Sequence, residues 1–126
     1  MKQFNCLVLE DSLSDQLSIE LLLNQYPEIK PFYTNSPESF AFEMTHIRYN
    51  LVITNIKLSG TVMGIDLLRS IEDPSTWVII CNAYDCKAYY DDCKSLPFTK
   101  FYLQNPWTTS SLRRTLSRFF SLKSKV

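Results

Sequence analysis

Leu51 to Ile56 reads LVITNI, an almost unbroken apolar run followed by Lys57. Its length suits a strand, and it lacks the strict alternation of a strand with one wet face. Such a segment belongs in the middle of a parallel sheet covered on both sides. Similar runs recur outward in both directions. WVIIC (Trp77 to Cys81) is a second buried strand and NCLVLE (Asn5 to Glu10) a short apolar one, while Ile29 to Thr34 and Thr99 to Leu103 complete a set of five. Helical patterns fill the gaps. Ser12, Ser14 and Asp15 are candidate caps for a helix with apolar Leu17, Leu21 and Leu22, which Pro27 helps to end; Asn35, Ser36 and Pro37 open a second with Phe40, Met44 and Ile47. A third is expected over Gly64 to Glu72 and a fourth over Tyr84 to Ser95. A fifth, capped by Thr108 or Thr109, carries Leu112, Leu116, Phe119 and Phe120. Strands alternating with helices predict an α/β fold with a doubly wound, five-stranded parallel sheet. Right-handed crossovers then place helices on both faces. Function in such sheets gathers beyond the carboxyl ends of the strands, here the loops after Glu10, Ile56, Cys81 and Leu103.

A length of 126 residues makes one domain, with a core over about 4–121 and a short tail over 122–126. Thirteen basic and thirteen acidic residues cancel, which argues against a dedicated nucleic-acid binder. There are only two glycines, Gly60 and Gly64, so Gly-rich phosphate loops of the P-loop or dinucleotide type are excluded. Cys6, Cys81, Cys86 and Cys93 include no CxxC pair, and His46 is the lone histidine, so zinc-site spacing is absent. Cys86 and Cys93 stand two helical turns apart, too far to bridge on one helix, and read as ordinary thiols rather than a redox pair. With no signal-like opening and no apolar run of about 18 residues, the sequence reads as a cytoplasmic protein without membrane contact.

Chemistry starts at Glu10 and Asp11, adjacent acids at the end of the first strand. Such a pair suits a hard cation such as Mg2+, and Asp11 or Ser12 equally suits capping of the next helix. Four segments then resemble, in order and spacing, the strand-end motifs of the receiver domain of two-component response regulators. They are VLEDS (Val8 to Ser12), NLVITNIKLSGTVMGIDLL (Asn50 to Leu68), VIICNAYD (Val78 to Asp85) and FYLQNPW (Phe101 to Trp107). The second has the longer loop of regulators that carry LytTR-type output domains. This resemblance spans nearly the whole chain. It implies a flavodoxin-like (CheY-like) (βα)5 fold, a role in bacterial phosphorelay signalling, and a Glu10–Asp11 pair that helps hold Mg2+.

The match breaks where the family's chemistry sits. Asn55 stands at the phosphoacceptor position, Asn82 at the switch hydroxyl, and Asn105, followed by Pro106, at the phosphoryl-contacting lysine; Tyr102 matches the aromatic switch. Phosphoryl transfer to the protein needs an anionic oxygen, which the amide of Asn55 does not supply. Asn105 has donors but no charge, and a neutral oxygen at Asn55 weakens any cation site that Glu10, Asp11 and the Lys57 carbonyl would form. Losing one acid and one lysine together leaves the formal charge of the pocket unchanged. The expected function is therefore a phosphorylation-independent pseudo-receiver, not an enzyme, with no required cofactor and at most weak Mg2+ binding. Its expected partner is a protein or a second copy of itself. The surface expected to serve is the fourth helix, fifth sheet strand and fifth helix, with Tyr84, Tyr89, Tyr90, Asp91 and Asp92 on the fourth helix and Arg113, Arg114 and Arg118 on the fifth, opposite charges that suit a self-complementary contact. Two alternatives carry less. A conventional receiver would have to accept phosphate at Ser59 or Asp66. A flavodoxin-like cofactor binder would have to cradle phosphate with EDSLSD (Glu10 to Asp15), which has no glycine and opens with two acids.

Overall fold

The computed structural model describes residues 2–58, 61–62, 65–82, 86–103 and 109–123. The elements run β1 (Phe4–Leu9), α1 (Leu13–Leu23), β2 (Ile29–Thr34), α2 (Pro37–His46), β3 (Leu51–Asn55), β4 (Lys57–Leu58), β5 (Thr61–Val62), α3 (Ile65–Arg69), β6 (Trp77–Cys81), α4 (Lys87–Cys93), β7 (Thr99–Leu103) and α5 (Thr109–Lys123). Five strands form one parallel sheet in the order β2-β1-β3-β6-β7, with LVITN at its centre. This is the expected doubly wound flavodoxin-like arrangement. The chain reverses direction across the sheet between β1 and β3, which opens a crevice at their carboxyl ends.

The period of two along each strand divides the core. Cys6, Val8, Leu51, Ile53, Trp77 and Ile79 pack on the side of α1 and α5, against Ile19, Leu22, Leu112, Leu116 and Phe119. Leu7, Leu9, Val52, Val78 and Ile80 face the other side, against Phe40, Leu68, Tyr89 and Cys93 of α2, α3 and α4. Hydrogen bonds at the amino ends set the register: Asn5 N–H donates to Asn50 Oδ1 at 2.9 Å and Thr76 Oγ1 to the Tyr49 carbonyl at 3.0 Å.

Local chemistry starts the helices where the cap signals put them. Ser12 Oγ accepts from Asp15 N–H at the start of α1, and Ser36 Oγ accepts from Ser39 N–H, with Pro37 as the first residue of α2. Several expectations need correction. The buried face of α1 is Ile19, Leu22 and Leu23, while Leu17 and Leu21 lie outside. The helix is leucine-rich all round, so its sequence carries two apolar stripes. α3 stops at Arg69 because Ile71 N–H bonds to the Leu68 carbonyl three residues back, which tightens the chain and turns Ile71 into the core. α4 is also shorter than expected, and its end tightens in the same way through Leu96 N–H and the Cys93 carbonyl. The loop after Asn55 holds an antiparallel pair, β4 with β5, that short-range periodicity could not reveal. Ser59-Gly60 between two extended dipeptides was the available signal.

All four cysteines are free thiols; Cys6, Cys81 and Cys93 are buried and Cys86 is half-buried. Among the described residues no helix is long and apolar enough to cross a membrane.

The facing of α1 is testable in dilute protein. Leu22→Ala is expected to cost about 2–5 kcal/mol, and Leu21→Ala no more than about 0.5 kcal/mol, in urea unfolding. Equal losses would mean the wrong stripe has been placed inside.

Candidate functional site

Three strand ends bring Glu10, Asn55 and Asn82 together. Ladder bonds that continue past the strands fix them. Glu10 N–H donates to the Thr34 carbonyl at 3.1 Å, Ile56 N–H to the Cys81 carbonyl at 3.3 Å, and Asn82 N–H to the Leu103 carbonyl at 2.7 Å. All three side chains are buried, with exposures of 4%, 7% and 5%.

Their side chains form one chain of hydrogen bonds. Lys57 N–H donates to Asn55 Oδ1 at 3.0 Å. A backbone N–H can only donate, so this bond fixes which end of the Asn55 amide is oxygen. The Asn55 NH2 is thereby turned toward Glu10 and donates to its Oε2 at 3.2 Å. Asn82 Nδ2 supplies the second donor to Asn55 Oδ1, at 3.0 Å. Ser12 N–H donates to the other Glu10 oxygen at 3.0 Å. Asn82 holds a left-handed backbone, φ 69°, which asparagine tolerates better than most residues.

Burial raises the Glu10 carboxyl above the ordinary glutamate range; Ser12 N–H and the Asn55 amide oppose that rise, and Asp15 and Asp11 add to it. Every polar atom of the Glu10–Asn55 pair thus faces a specific group. The donor set suits Mg2+ poorly. Both Glu10 oxygens already accept, Asn55 Oδ1 accepts twice, and the Asn55 NH2 turns partial positive charge toward the place where a cation would approach Glu10. Asp11 sits at the rim, half-exposed. Among the described residues no group of three His, Cys, Asp or Glu side chains could hold a metal ion. The resemblance had placed the Lys57 carbonyl in the site; it is the Lys57 N–H, with that of Ser12, that the sequence reading missed. Backbone donors leave no signature in residue type.

The remaining predicted residues are dispersed. Asn105 and Tyr84 lie outside the described residues, as does Ser59. Asp66 is exposed in the first turn of α3 and bonded to Arg69 at 3.0 Å. Tyr102 is half-buried with its ring edge-on to Tyr90 at 4.7 Å. Tyr89, expected on an interaction surface, is corrected: it is 6% exposed, because α4 has no large aliphatic side chain and buries this ring against the sheet instead. Its hydroxyl has no hydrogen-bond partner among the described residues, and burial pushes its pKa up. Asp91 of α4 pairs with Lys94 at 3.3 Å and Lys87 at 3.9 Å, so the helix partly neutralises its own acids. On α5, Arg113 donates to Gln25 Oε1 at 2.8 Å, Arg118 lies over the Phe101 ring at 5.2 Å, and Arg114 is exposed.

No protein-family model matches the sequence, and no curated protein matches it. Solved structures do. The chain is similar to the receiver domain of an HD domain-containing protein from Pseudomonas fluorescens, with TM-score 0.80 and 19% identity over 99% of this chain and 100% of that one. It is similar to the receiver domain of a sensor histidine kinase from Pseudomonas aeruginosa, which has a magnesium ion coordinated in its active-site cleft: TM-score 0.74, 19% identity, 94% and 98% covered. A chemotaxis response regulator of Vibrio cholerae matches with TM-score 0.75 and 15% identity over 94% and 99%. The chain therefore has the receiver-domain fold of response regulators.

Two outcomes follow from the amide chain. Asn55→Asp replaces a donor to Glu10 with a second buried carboxylate and is expected to lower stability at pH 7 by about 1–3 kcal/mol, less so in acid; an unchanged melting temperature would contradict the assigned amide orientation. Because the Glu10 pKa is higher in the folded state, its contribution is full below the unfolded value of about 4.3 and falls as pH rises through the folded one. The stability of the natural chain minus that of Glu10→Gln should therefore decrease from pH 4 toward neutrality. Urea titrations at several pH values measure that difference.

Proposed function

We propose that this chain is a pseudo-receiver in bacterial two-component signal transduction, a protein-interaction module of the cytoplasm that works without phosphorylation. The observation carrying this reading is the bond from Asn82 Nδ2 to Asn55 Oδ1. At a catalytic receiver site the corresponding oxygen must be an anion open to an incoming phosphoryl group. Here it is a neutral amide oxygen that already accepts two hydrogen bonds. Attack from such an atom is disfavoured electronically, since its lone pairs are delocalised, and sterically, since both donors must leave.

The module is not an enzyme and requires no cofactor. The magnesium seen in the Pseudomonas aeruginosa relative is expected to find only weak purchase here, on Glu10 and Asp11. Its partner is a protein, a second copy of the chain included.

Incubation with acetyl phosphate and Mg2+, followed by intact-mass measurement, tests the reading. No phosphoryl adduct is expected on the natural chain, and little on Asn55→Asp, which still has Asn105 in place of a lysine. A stoichiometric adduct on the natural chain would defeat the proposal.

A further inference from the structure

Helix α1 is apolar on two sides. Ile19, Leu22 and Leu23 are buried, while Leu13, Leu17 and Leu21 are 71%, 48% and 70% exposed. At 100° per residue the exposed leucines point about 165° away from the buried set. A helix that covers only its own side of a core needs one apolar stripe. The second stripe is a straight ridge of three leucines, each one turn after the last, the i±4 row that packs into the grooves of another helix.

A matching groove lies on the same face of the molecule. α5 shares the α1 core cluster through Leu112, Leu116 and Phe119, and it is tied to the turn that follows α1 by the Arg113–Gln25 bond at 2.8 Å and by Phe120 stacked on Tyr26 at 5.4 Å. The outer side of α5 is a shallow groove of about 450 Å3 lined by Arg114, Ser117, Arg118, Ser121 and Leu122. Ser117 and Ser121 are also one turn apart, and their small side chains leave a trough beside the two arginines and Leu122, itself 54% exposed. Charge matches shape: α1 has no Lys or Arg and carries Glu20 beside the ridge, whereas α5 carries Arg113, Arg114, Arg118 and Lys123 and no acid.

We infer that the α1–α5 face is a homodimer surface, in which the Leu13–Leu17–Leu21 ridge of each copy seats in the Ser117–Ser121 groove of the other. Because α1 and α5 are neighbours on one face, a two-fold axis running along the helices lays α1 of one copy over α5 of the next and makes both contacts at once. The inference names the partner of the interaction module proposed above, and rests on that reading only in taking protein contact as the output. Helices of about 16 and 22 Å, side by side about 10 Å apart, give a face about 20 Å square. That is the small end of the range for interfaces, so the dimer is weak and concentration-dependent. The arrangement also moves the self-contact away from α4, where Tyr89 is buried and Asp91 is already paired.

Sedimentation equilibrium of the full chain over a wide concentration range tests this. A reversible monomer–dimer equilibrium is expected. Leu17→Arg, which sets a cation against Arg114 and Arg118, and Ser117→Trp, which fills the trough, should each raise the dissociation constant by about tenfold or more. Both positions are exposed, so melting temperatures measured on dilute samples should hold, and Tyr90→Ala on α4 should leave association unchanged. An equimolar mixture of the two variants should recover part of the association, since only the mixed pair keeps one intact ridge-in-groove contact. A natural chain that stays monomeric throughout, a dimer indifferent to both substitutions, or no recovery on mixing would each overturn the inference. Acetyl-phosphate labelling reads the pseudo-receiver proposal separately, so either can fail alone.

Discussion

The side-chain oxygen of Asn55, Oδ1, is the joint on which the upper end of the molecule depends. It accepts from Lys57 N–H, which begins the β4–β5 excursion, and from Asn82, which ends β6, while the same amide donates to Glu10 at the end of β1. Three strand ends are thereby joined through one planar group of four heavy atoms. A carboxylate there would accept from the same two donors but would repel Glu10. An apolar side chain would orphan all of them. Only an amide satisfies a buried acid on one side and two donors on the other.

The rest of the fold delivers those residues to that joint. The central strands are buried on both faces, so polarity alone does not set their register. Asn5, Asn50 and Thr76 hold the amino ends in register. With the register fixed, the carboxyl ends of β1, β3 and β6 arrive level, and Glu10, Asn55 and Asn82 are brought together, with the Ser12 N–H at the start of α1 completing the Glu10 carboxylate. Geometry of this kind owes its stability to the sheet and not to any reaction.

Much of this was legible in the residues. LVITN and WVIIC are apolar without alternation and could only be central strands, and Ser36-Pro37 marks a helix start by bonding logic alone. What was not legible has a common cause: the pattern allowed two answers and tertiary contacts chose one. Leu17, Leu21 and Leu22 fit a helical stripe as well as Ile19, Leu22 and Leu23 do, and only the position of the sheet decides which goes inside. Tyr89 reads as a surface residue until α4 proves to have little else to bury. At the site, Asn55 and Asn82 were identifiable by position, but the direction of the Asn55 amide depended on Lys57 N–H, a donor that every residue except proline carries.

The left-handed backbone at Asn82 also limits which residues can stand there. Glycine, asparagine and aspartate enter that region most readily, and of these only asparagine combines a side-chain donor for Asn55 with no charge near Glu10. Asn55 in turn is the residue that gives the Asn82 amide something to hold. Each makes the other costly to change, so the pair works as a ratchet: putting a charged side chain in place of either amide alone passes through a less stable protein.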